Sequence, residues 1–222
     1  FGMFSSDHNY GTIGEKSAGS SSWKEGYIKY GFSGSHTYAD NKASVYGGLN
    51  AITSGTWGDG DAAGLRAIAR PYGRISALNC WEHQMMLPGY ALAAQGTQIH
   101  AALWPGWEKT PRQGEYCWAR QLLLSRAFAS QAAAYVVCAA GLRLEEHIPE
   151  RWRALGVWEH TGQSAIIDPR GEIIAGPIDG EGIVMAEGSL DSVRAAKAAC
   201  DIAGHYSRPD IFELRIDDTP SS

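Results

Sequence analysis

The hexapeptide Leu-Asn-Cys-Trp-Glu-His, residues 78–83, is the clearest candidate for covalent chemistry in the chain. It follows an alternating run of small and apolar residues, so Cys80 stands where a strand is expected to end and a helical turn to begin. A cysteine there can be a small buried side chain, a metal ligand or a nucleophile. Backbone N–H groups at the start of a helical turn favour a thiolate and stabilise a developing negative charge. Because the polar Glu82 and His83 follow at once, we favour the nucleophile and keep the buried cysteine as the alternative.

A metal site is the weaker interpretation of this stretch. Cys80 and His83 have the spacing of a ligand pair, but no second pair stands out in the sequence, although other histidines are available in principle. We therefore expect no bound metal. The remaining cysteines lie among alanines in helical or strand-like patterns, which favours core packing for each of them: Cys117, Cys138 and Cys200.

An aromatic loop, residues 102–107, closes a strand that should lie beside the Cys80 strand, since successive strands are usually neighbours in a sheet. Its large side chains have two interpretations, core packing or the wall of a pocket for a small apolar substrate. The candidate substrate contacts come from the hexapeptide and from this loop, and they are Trp81, Glu82, His83, Trp104 and Pro105.

The elements that must position these residues alternate between strands and helices from about Thr56 onward. Apolar runs predict four strands: Arg74–Asn79, Thr97–Leu103, Tyr135–Ala139 and Gly182–Ala186. Helical spacing predicts three helices: Met86–Gln95, Gln113–Ala133 and Leu190–Ala203, the last closed by Gly204. Residues 164–176 predict a hairpin around Asp-Pro-Arg-Gly, because proline and glycine occupy their preferred turn positions. This alternation predicts an α/β layered domain with a mixed sheet.

The composition narrows the class of protein. A chain of 222 residues, 44% of them hydrophobic, is long enough for one domain with a real core. The formal charge of −5 argues against a nucleic-acid surface, and no apolar run reaches the length of a membrane span. Neither nucleic acid nor a membrane is therefore an expected partner. Four cysteines without a Cys-x-x-Cys pair, and a start unlike a secretory signal, predict a reduced, cytoplasmic protein.

The first fifty residues differ in character from the rest, since nine are serine and nine are glycine and no apolar period is sustained. We divide the chain into an atypical Ser/Gly-rich segment over residues 1–55, a domain over 56–212 and a polar tail over 213–222. Because the sequence begins at Phe1, we expect a fragment or a processed form.

Five segments resemble the nitrilase family of the carbon–nitrogen hydrolase superfamily in order and spacing: TWGDGDAAGL, PYGRISALNCWEH, LPGYALAAQGTQIHAALWPG, GQSAIIDPRGEIIAGP and GHYSRPDIF. The resemblance covers about Thr56 to Phe212. It implies a four-layer α-β-β-α sandwich, here with an N-terminal portion that is incomplete or atypical. It also implies no cofactor and a homo-oligomer that ranges from a dimer to a spiral or filament.

The resemblance further implies an enzyme that hydrolyses a small organic nitrile to a carboxylic acid and ammonia. In the family a Glu-Lys-Cys triad performs this reaction. Cys80 would attack the nitrile carbon to give a thioimidate, water would release ammonia, and hydrolysis of the resulting thioester would release the acid. A nitrile is a weak electrophile, so a soft, activated sulfur suits this chemistry.

Only Cys80 of that triad can be placed by position. The lysine position of the family falls on Gly48, the position of a further glutamate falls on Thr53, and the upstream glutamate segment has no counterpart. The nearest residues of the right type stand in unlike surroundings: Lys42, Glu15 and Glu25. Two alternatives therefore stay open, an amide-type hydrolase of the same superfamily and a catalytically impaired protein with the nitrilase fold.

Overall fold

A computed structural model describes residues 62–110, 117–154 and 159–217 of the chain. Within these ranges the strands are β1 (Ile68–Arg70), β2 (Gly73–Asn79), β3 (Ile99–Trp104), β4 (Tyr135–Ala140), β5 (Leu142–Arg143), β6 (His160–Ile167) and β7 (Ile173–Asp179). They join in the order β1-β2-β3-β4-β6. Strand β6 pairs with β4 near its end and with β5 near its start, and it also pairs with β7. The central strands β2, β3 and β4 run parallel, and the other pairings are antiparallel.

The helices in the same ranges are α1 (Met86–Ala94), α2 (Cys117–Ala132), α3 (Glu150–Arg153) and α4 (Leu190–Ala199). Short 3₁₀ turns form at Ala62–Gly64, Cys80–Gln84 and Glu145–His147. Helix α1 follows β2, and α2 follows β3, so each parallel strand returns to the sheet through a helix. Among the described helices, none has both the length and the apolar character needed to cross a membrane.

Three of the predicted strands and the predicted hairpin are confirmed. The strands β2, β3 and β4 match their predicted ranges to within two residues at each end. At the tip of the hairpin between β6 and β7, the N–H of Gly171 donates to the carbonyl oxygen of Asp168 at 2.9 Å, as a β-turn requires. The Asp168 carboxylate accepts the N–H groups of Arg170 and Glu172, which closes the turn from inside.

The predicted strand Gly182–Ala186 is wrong, because those residues form no strand in the described structure. Its two large apolar side chains face outward, with Ile183 87% exposed and Met185 82% exposed. An apolar run becomes a strand only where a neighbouring strand takes its backbone hydrogen bonds, and the described residues offer none here.

The last predicted helix ends four residues early, at Ala199 rather than Ala203. The carboxylate of Asp201 accepts the N–H groups of Ala203 and Gly204, both at 3.1 Å. A local aspartate turn of this kind competes with helical hydrogen bonding, so it ends the helix before the glycine is reached.

Helices α1 and α2 cover one face of the sheet and form the core with it. From the strands, the buried cluster takes Leu78, Ala102, Trp104, Val136, Cys138 and Ile167. From the helical layer it takes Leu92, Ala93, Trp118, Phe128, Ala129, Ala132 and the adjoining Ala134. Burying large apolar side chains stabilises the fold by about 1.5–3 kcal/mol for each of them.

The opposite face of the sheet is also apolar, but the described residues leave much of it open. Val137 is 43% exposed and Ile174 is 42% exposed, and a groove of about 310 Å³ lies beside them, bordered by residues 186–190. The described residues thus supply one sheet and one helical layer of the expected four-layer sandwich. A mixed α/β architecture is confirmed.

Candidate active site

Cys80 lies at the carboxyl end of β2, where the chain bends directly into the turn Cys80–Gln84. Its φ angle is 51°, in the left-handed region that residues other than glycine rarely adopt. Strands β2 and β3 are parallel with Asn79 opposite Leu103, so Cys80 and Trp104 reach the same edge of the sheet. The bend presents the cysteine at the carboxyl ends of parallel strands, the edge where α/β proteins bind their ligands.

Glu82 closes this turn from within. Its Oε2 atom accepts the backbone N–H of Asn79 at 2.7 Å, and its own carbonyl oxygen accepts the N–H of Met85 at 3.1 Å. The side chain is buried, and burial raises the pKa of its carboxyl from 4.5 to about 7, although the Asn79 hydrogen bond lowers it in part. A carboxyl that exchanges its proton near neutrality therefore lies two residues from the candidate nucleophile.

Burial also sets the state of the thiol itself. Cys80 packs against the core cluster, and the loss of solvent raises the pKa of its thiol to about 12. The N–H of Trp81 lowers this pKa, whereas the charges of Glu82 and Cys117 raise it further. The expectation that the start of the turn favours a thiolate is therefore not met, because desolvation outweighs one backbone donor. Attack by this sulfur needs a base to remove its proton.

Two tryptophans and an arginine form one side of the site. The Trp81 ring meets Trp104 edge to face at 5.8 Å, and the guanidinium of Arg120 on α2 lies 5.5 Å above the Trp81 ring. Trp104 is fully buried and its Nε1–H donates to the hydroxyl of Ser125 at 2.8 Å. Packing in the core is thus the observed role of Trp104, and a direct contact with substrate stays a prediction.

The ring of His83 bonds back to its own turn and packs against β3. Its Nδ1 donates to the carbonyl oxygen of Cys80 at 2.9 Å, and the ring stacks on Trp104 at 4.7 Å between centroids. Burial lowers the pKa of His83 to about 4, so the ring is neutral at physiological pH. The structure therefore brings the whole hexapeptide and Trp104 together, while the substrate contacts assigned to them stay predictions.

Pro105 is half-buried and opens the loop that leaves β3 at this edge. In that loop Gly106 has a φ angle of 99°, and a Cβ atom there would lie 2.4 Å from the carbonyl oxygen of Gly141 and 2.8 Å from that of Gly162. Three backbone segments meet at this glycine, which only glycine permits. Pro105 as a substrate contact stays a prediction.

Sequence reasoning missed a buried carboxylate, Glu108. Its Oε2 atom accepts the N–H of Trp118 at the start of α2, at 3.2 Å. A carboxylate at this end of a helix is stabilised by unpaired N–H groups and the helix dipole. No local pattern identifies it, because ten residues separate the two partners.

Sequence reasoning also missed two buried residues beside the turn, Ser76 and His100. They are direct neighbours in the parallel register of β2 and β3, and Ser76 Oγ lies 2.7 Å from His100 Nδ1. The ring of His100 in turn lies 3.1 Å, Nε2 to Nε2, from His83. The pairing register is the only signal that joins them, and one sequence does not fix a register.

The other residues considered for the triad, Lys42, Glu15 and Glu25, lie outside the described residues. Within the described ranges, no three histidine, cysteine, aspartate or glutamate side chains are grouped so that they could hold a metal ion. The expectations of no metal and no cofactor stay predictions.

The sequence model of the carbon-nitrogen hydrolase family matches residues 35–198. That range covers more than half of the chain and includes the candidate nucleophile and the sheet that presents it. The chain belongs to the carbon-nitrogen hydrolase family. The match begins upstream of Thr56, inside the segment that composition sets apart as atypical.

Similar curated proteins are nitrilases. The chain is 49% identical over 163 residues to "Nitrilase 2" of an unknown prokaryotic organism, covering 72% of this chain and 49% of that protein. It is 32% identical over 174 residues to an aliphatic nitrilase of Rhodococcus rhodochrous, covering 74% of this chain and 47% of that protein. The chain thus spans about half the length of the curated relatives that it matches.

Solved structures share the fold. The carbon-nitrogen hydrolase of Helicobacter pylori G27 is 18% identical with a TM-score of 0.58, covering 72% of this chain and 54% of that one. Nit3 of Saccharomyces cerevisiae, a member of branch 10 of the nitrilase superfamily, is 20% identical with a TM-score of 0.52, covering 69% of this chain and 50% of that one. These likenesses establish the architecture of the described sheet and helices.

Proposed function

We propose that the chain carries the nucleophile half of a nitrilase-type hydrolase, which converts a small organic nitrile to a carboxylic acid and ammonia. The observation that carries this proposal is Cys80, held in a left-handed conformation at the end of a central parallel strand. Its support is the 49% identity to a protein named a nitrilase, over a range that includes this strand.

The proposed reaction begins when the sulfur of Cys80 bonds to the nitrile carbon and the nitrile nitrogen takes a proton, which gives a thioimidate. Water then adds to that carbon, the carbon–nitrogen bond breaks, and ammonia leaves a thioester. A second water adds to the thioester, the carbon–sulfur bond breaks, and the acid leaves with the thiol restored. Each nucleophilic addition and each loss of a leaving group requires a proton transfer. A general acid–base group must therefore lie close to the sulfur of Cys80.

The thiol cannot supply that service itself, because burial raises its pKa to about 12. Glu82 has a carboxyl with a pKa raised by burial to about 7, but the Asn79 N–H already holds one of its oxygens. Lys42 lies within the range that the family model matches, so it is the first lysine to test. General acid–base catalysis is worth about 10²–10⁴ in rate.

A catalytically impaired protein is the second candidate function. One observation favours it: within the described ranges, no histidine, lysine or carboxylate is hydrogen-bonded to the Cys80 sulfur, which has a raised pKa. We therefore expect this chain alone to hydrolyse nitriles slowly or not at all. We also propose a cytoplasmic location and self-association, from a dimer to a spiral or filament.

The test joins this chain to the N-terminal half of the nitrilase that is 49% identical to it. Ammonia and acid release are measured from an aliphatic nitrile, an arylacetonitrile and cyanide, and from the matching amides. We expect release from at least one nitrile, and we expect Cys80→Ala to abolish it while Cys200→Ala does not. Turnover of amides alone would identify an amide-type hydrolase, and turnover that survives Cys80→Ala would refute the proposal.

A further inference from the structure

A series of hydrogen-bonded polar side chains runs from the turn Cys80–Gln84 into the sheet. We propose that His83, His100 and Ser76 are positioning residues that hold the backbone of Cys80, and through it the direction of its thiol. This inference rests on the proposed role of Cys80 as the nucleophile.

The contacts are continuous from the turn to the strand interior. His83 Nδ1 lies 2.9 Å from the carbonyl oxygen of Cys80, and His83 Nε2 lies 3.1 Å from His100 Nε2. His100 Nδ1 lies 2.7 Å from the hydroxyl of Ser76. The hydroxyl of Thr97 lies 3.0 Å from that of Ser76 and 2.8 Å from the carbonyl oxygen of Leu92. His100, Ser76 and Thr97 are all buried, so water does not compete for these bonds.

The protons along this series can be assigned from its end points. A carbonyl oxygen only accepts, so His83 carries its proton on Nδ1. Burial lowers the pKa of both imidazoles, so each ring holds a single proton at neutral pH. The Nε2 of His83 is then an acceptor, and His100 must donate to it from its own Nε2. The Nδ1 of His100 is left to accept the hydroxyl proton of Ser76. The single hydroxyl proton of Thr97 has two acceptors in reach, the Ser76 hydroxyl and the carbonyl oxygen of Leu92.

From Cys80 to Ser76, one arrangement of protons therefore satisfies every donor and acceptor. The carbonyl oxygen of Cys80 selects the Nδ1–H tautomer of His83, and His83 in turn selects the Nε2–H tautomer of His100. The hydroxyl of Ser76 then donates to the Nδ1 atom of His100 that remains. Without Ser76 this buried nitrogen would lose that partner, and the hold on His83 and on Cys80 would loosen.

The rings are also held in place by their neighbours. His83 stacks on Trp104 at 4.7 Å between centroids, and His100 stacks on Phe128 at 3.9 Å. The imidazoles meet edge to face at 5.2 Å. A donor fixed so firmly can hold Cys80 in its left-handed conformation, which a non-glycine residue leaves unless its surroundings prevent it.

A purely structural role predicts a different response to mutation. If these residues only satisfied buried polar groups, losing one would weaken the whole fold. If they position Cys80, losing one loosens the turn first. Two cysteines separate loosening of the turn from weakening of the whole fold. Cys80 lies in the turn, whereas Cys138 is buried in the core of the sheet.

The experiment measures alkylation of each cysteine by iodoacetamide in the whole chain, by peptide mass spectrometry, for Ser76→Ala and for the control Ser164→Ala. The hydroxyl of Ser164 bonds to the backbone N–H and carbonyl oxygen of Ala140 on β4, and not to His83, His100 or Ser76. Cys80 is half-buried and its segment must loosen before the thiol is fully accessible, so loss of one hydrogen bond should speed its alkylation by about fivefold. Cys138 should keep its rate in both variants, and Cys80 should keep its rate in Ser164→Ala.

A Cys80 rate that Ser76→Ala leaves unchanged, or that rises together with the Cys138 rate, would overturn the inference. A second measurement needs no variant: nitrogen-15 NMR of the unmodified chain should find His83 protonated on Nδ1 and His100 on Nε2. A scalar coupling across the hydrogen bond between their Nε2 atoms should also appear. The opposite tautomers, or no coupling, would overturn it too. A protein that gives the expected pattern but forms no adduct with any nitrile contradicts only the proposed function.

Discussion

The imidazole of His83 donates a hydrogen bond to the carbonyl oxygen of Cys80, the residue three positions before it, at 2.9 Å. This bond links the side chain of His83 back to the backbone at the start of the same turn. Glu82 holds the other side of the same turn by accepting the N–H of Asn79. The polar side chains of the hexapeptide therefore bind the backbone of the hexapeptide itself.

The first prediction concerns the buried carboxyl of Glu82 and the pH dependence of stability. Its pKa is about 7 in the folded chain and 4.5 as an ordinary glutamate, so the folded chain binds its proton more tightly. Its contribution is fully present below pH 4.5 and is lost as pH rises through 7. Glu82→Gln removes that loss because an amide does not titrate. The free energy of unfolding of the variant minus that of wild type should therefore rise by about 3 kcal/mol between pH 4.5 and pH 8.

Chemical denaturation of both proteins across this range measures the difference. His83 acts in the opposite direction, because its lowered pKa makes the fold lose stability as pH falls from 6.5 toward 4, but it is present in both proteins and cancels. Glu181→Gln, at an exposed position, is the matched control for the change of a carboxyl to an amide. A flat difference for Glu82→Gln would contradict the prediction.

The second prediction concerns the crowded glycine after β3. Gly106→Ala should abolish folding or lower the free energy of unfolding by about 4 kcal/mol or more, since its Cβ would lie 2.4 Å from a backbone oxygen. Gly180 is the matched control, with a φ angle of 72° and no atom near its Cβ position. Gly180→Ala should cost only the backbone strain, about 1–2 kcal/mol. Equal effects in urea titrations of the two variants would argue against the close approach.

The third prediction concerns the buried indole of Trp104. Ser125→Ala removes the acceptor of its Nε1–H and should lower the free energy of unfolding by about 1–3 kcal/mol, because the donor is left unpaired in the core. Ser192→Ala on the exposed face of α4 should change it by less than about 0.5 kcal/mol. Thermal unfolding of both variants provides the comparison, and a neutral Ser125→Ala would contradict the assigned bond.

The fourth prediction concerns assembly. Of the apolar residues on α2, Trp118 is buried in the core, whereas Leu123 is 61% exposed and available for contact. Static light scattering at micromolar concentration should find assemblies larger than a monomer, and Leu123→Ser should reduce their size if α2 forms the contact. A well-folded monomer in both proteins would count against self-association.

The sequence predicts those elements of the fold whose pattern lies in neighbouring residues. The strands β2, β3 and β4 and the hairpin turn at Asp168 follow from apolar runs and turn residues that lie next to one another. The segment Gly182–Ala186 has the same kind of run but no described partner strand, so the pattern fails there. Pairing is a tertiary property that a run of apolar residues does not contain.

The site divides in the same way. Cys80 can be identified from the sequence because it lies between a predicted strand and a predicted turn, and neighbouring residues alone predict both. The hydrogen bonds that join His83, His100 and Ser76 depend on the register of two parallel strands. The pKa of Cys80 depends on the residues that bury its thiol. Both are set by packing between distant segments, so they are visible only once the fold is known.

The central claim is that Cys80 is the nucleophile, and covalent trapping tests it most directly. The chain joined to the N-terminal half of its 49% identical relative is mixed with a nitrile, quenched in acid and analysed by peptide mass spectrometry. A thioimidate forms by addition without loss, so we expect a mass increase equal to the whole nitrile, on Cys80 alone and absent from Cys80→Ala. An adduct on Cys117, Cys138 or Cys200 during turnover, or turnover that continues in Cys80→Ala, would show that Cys80 is not the nucleophile.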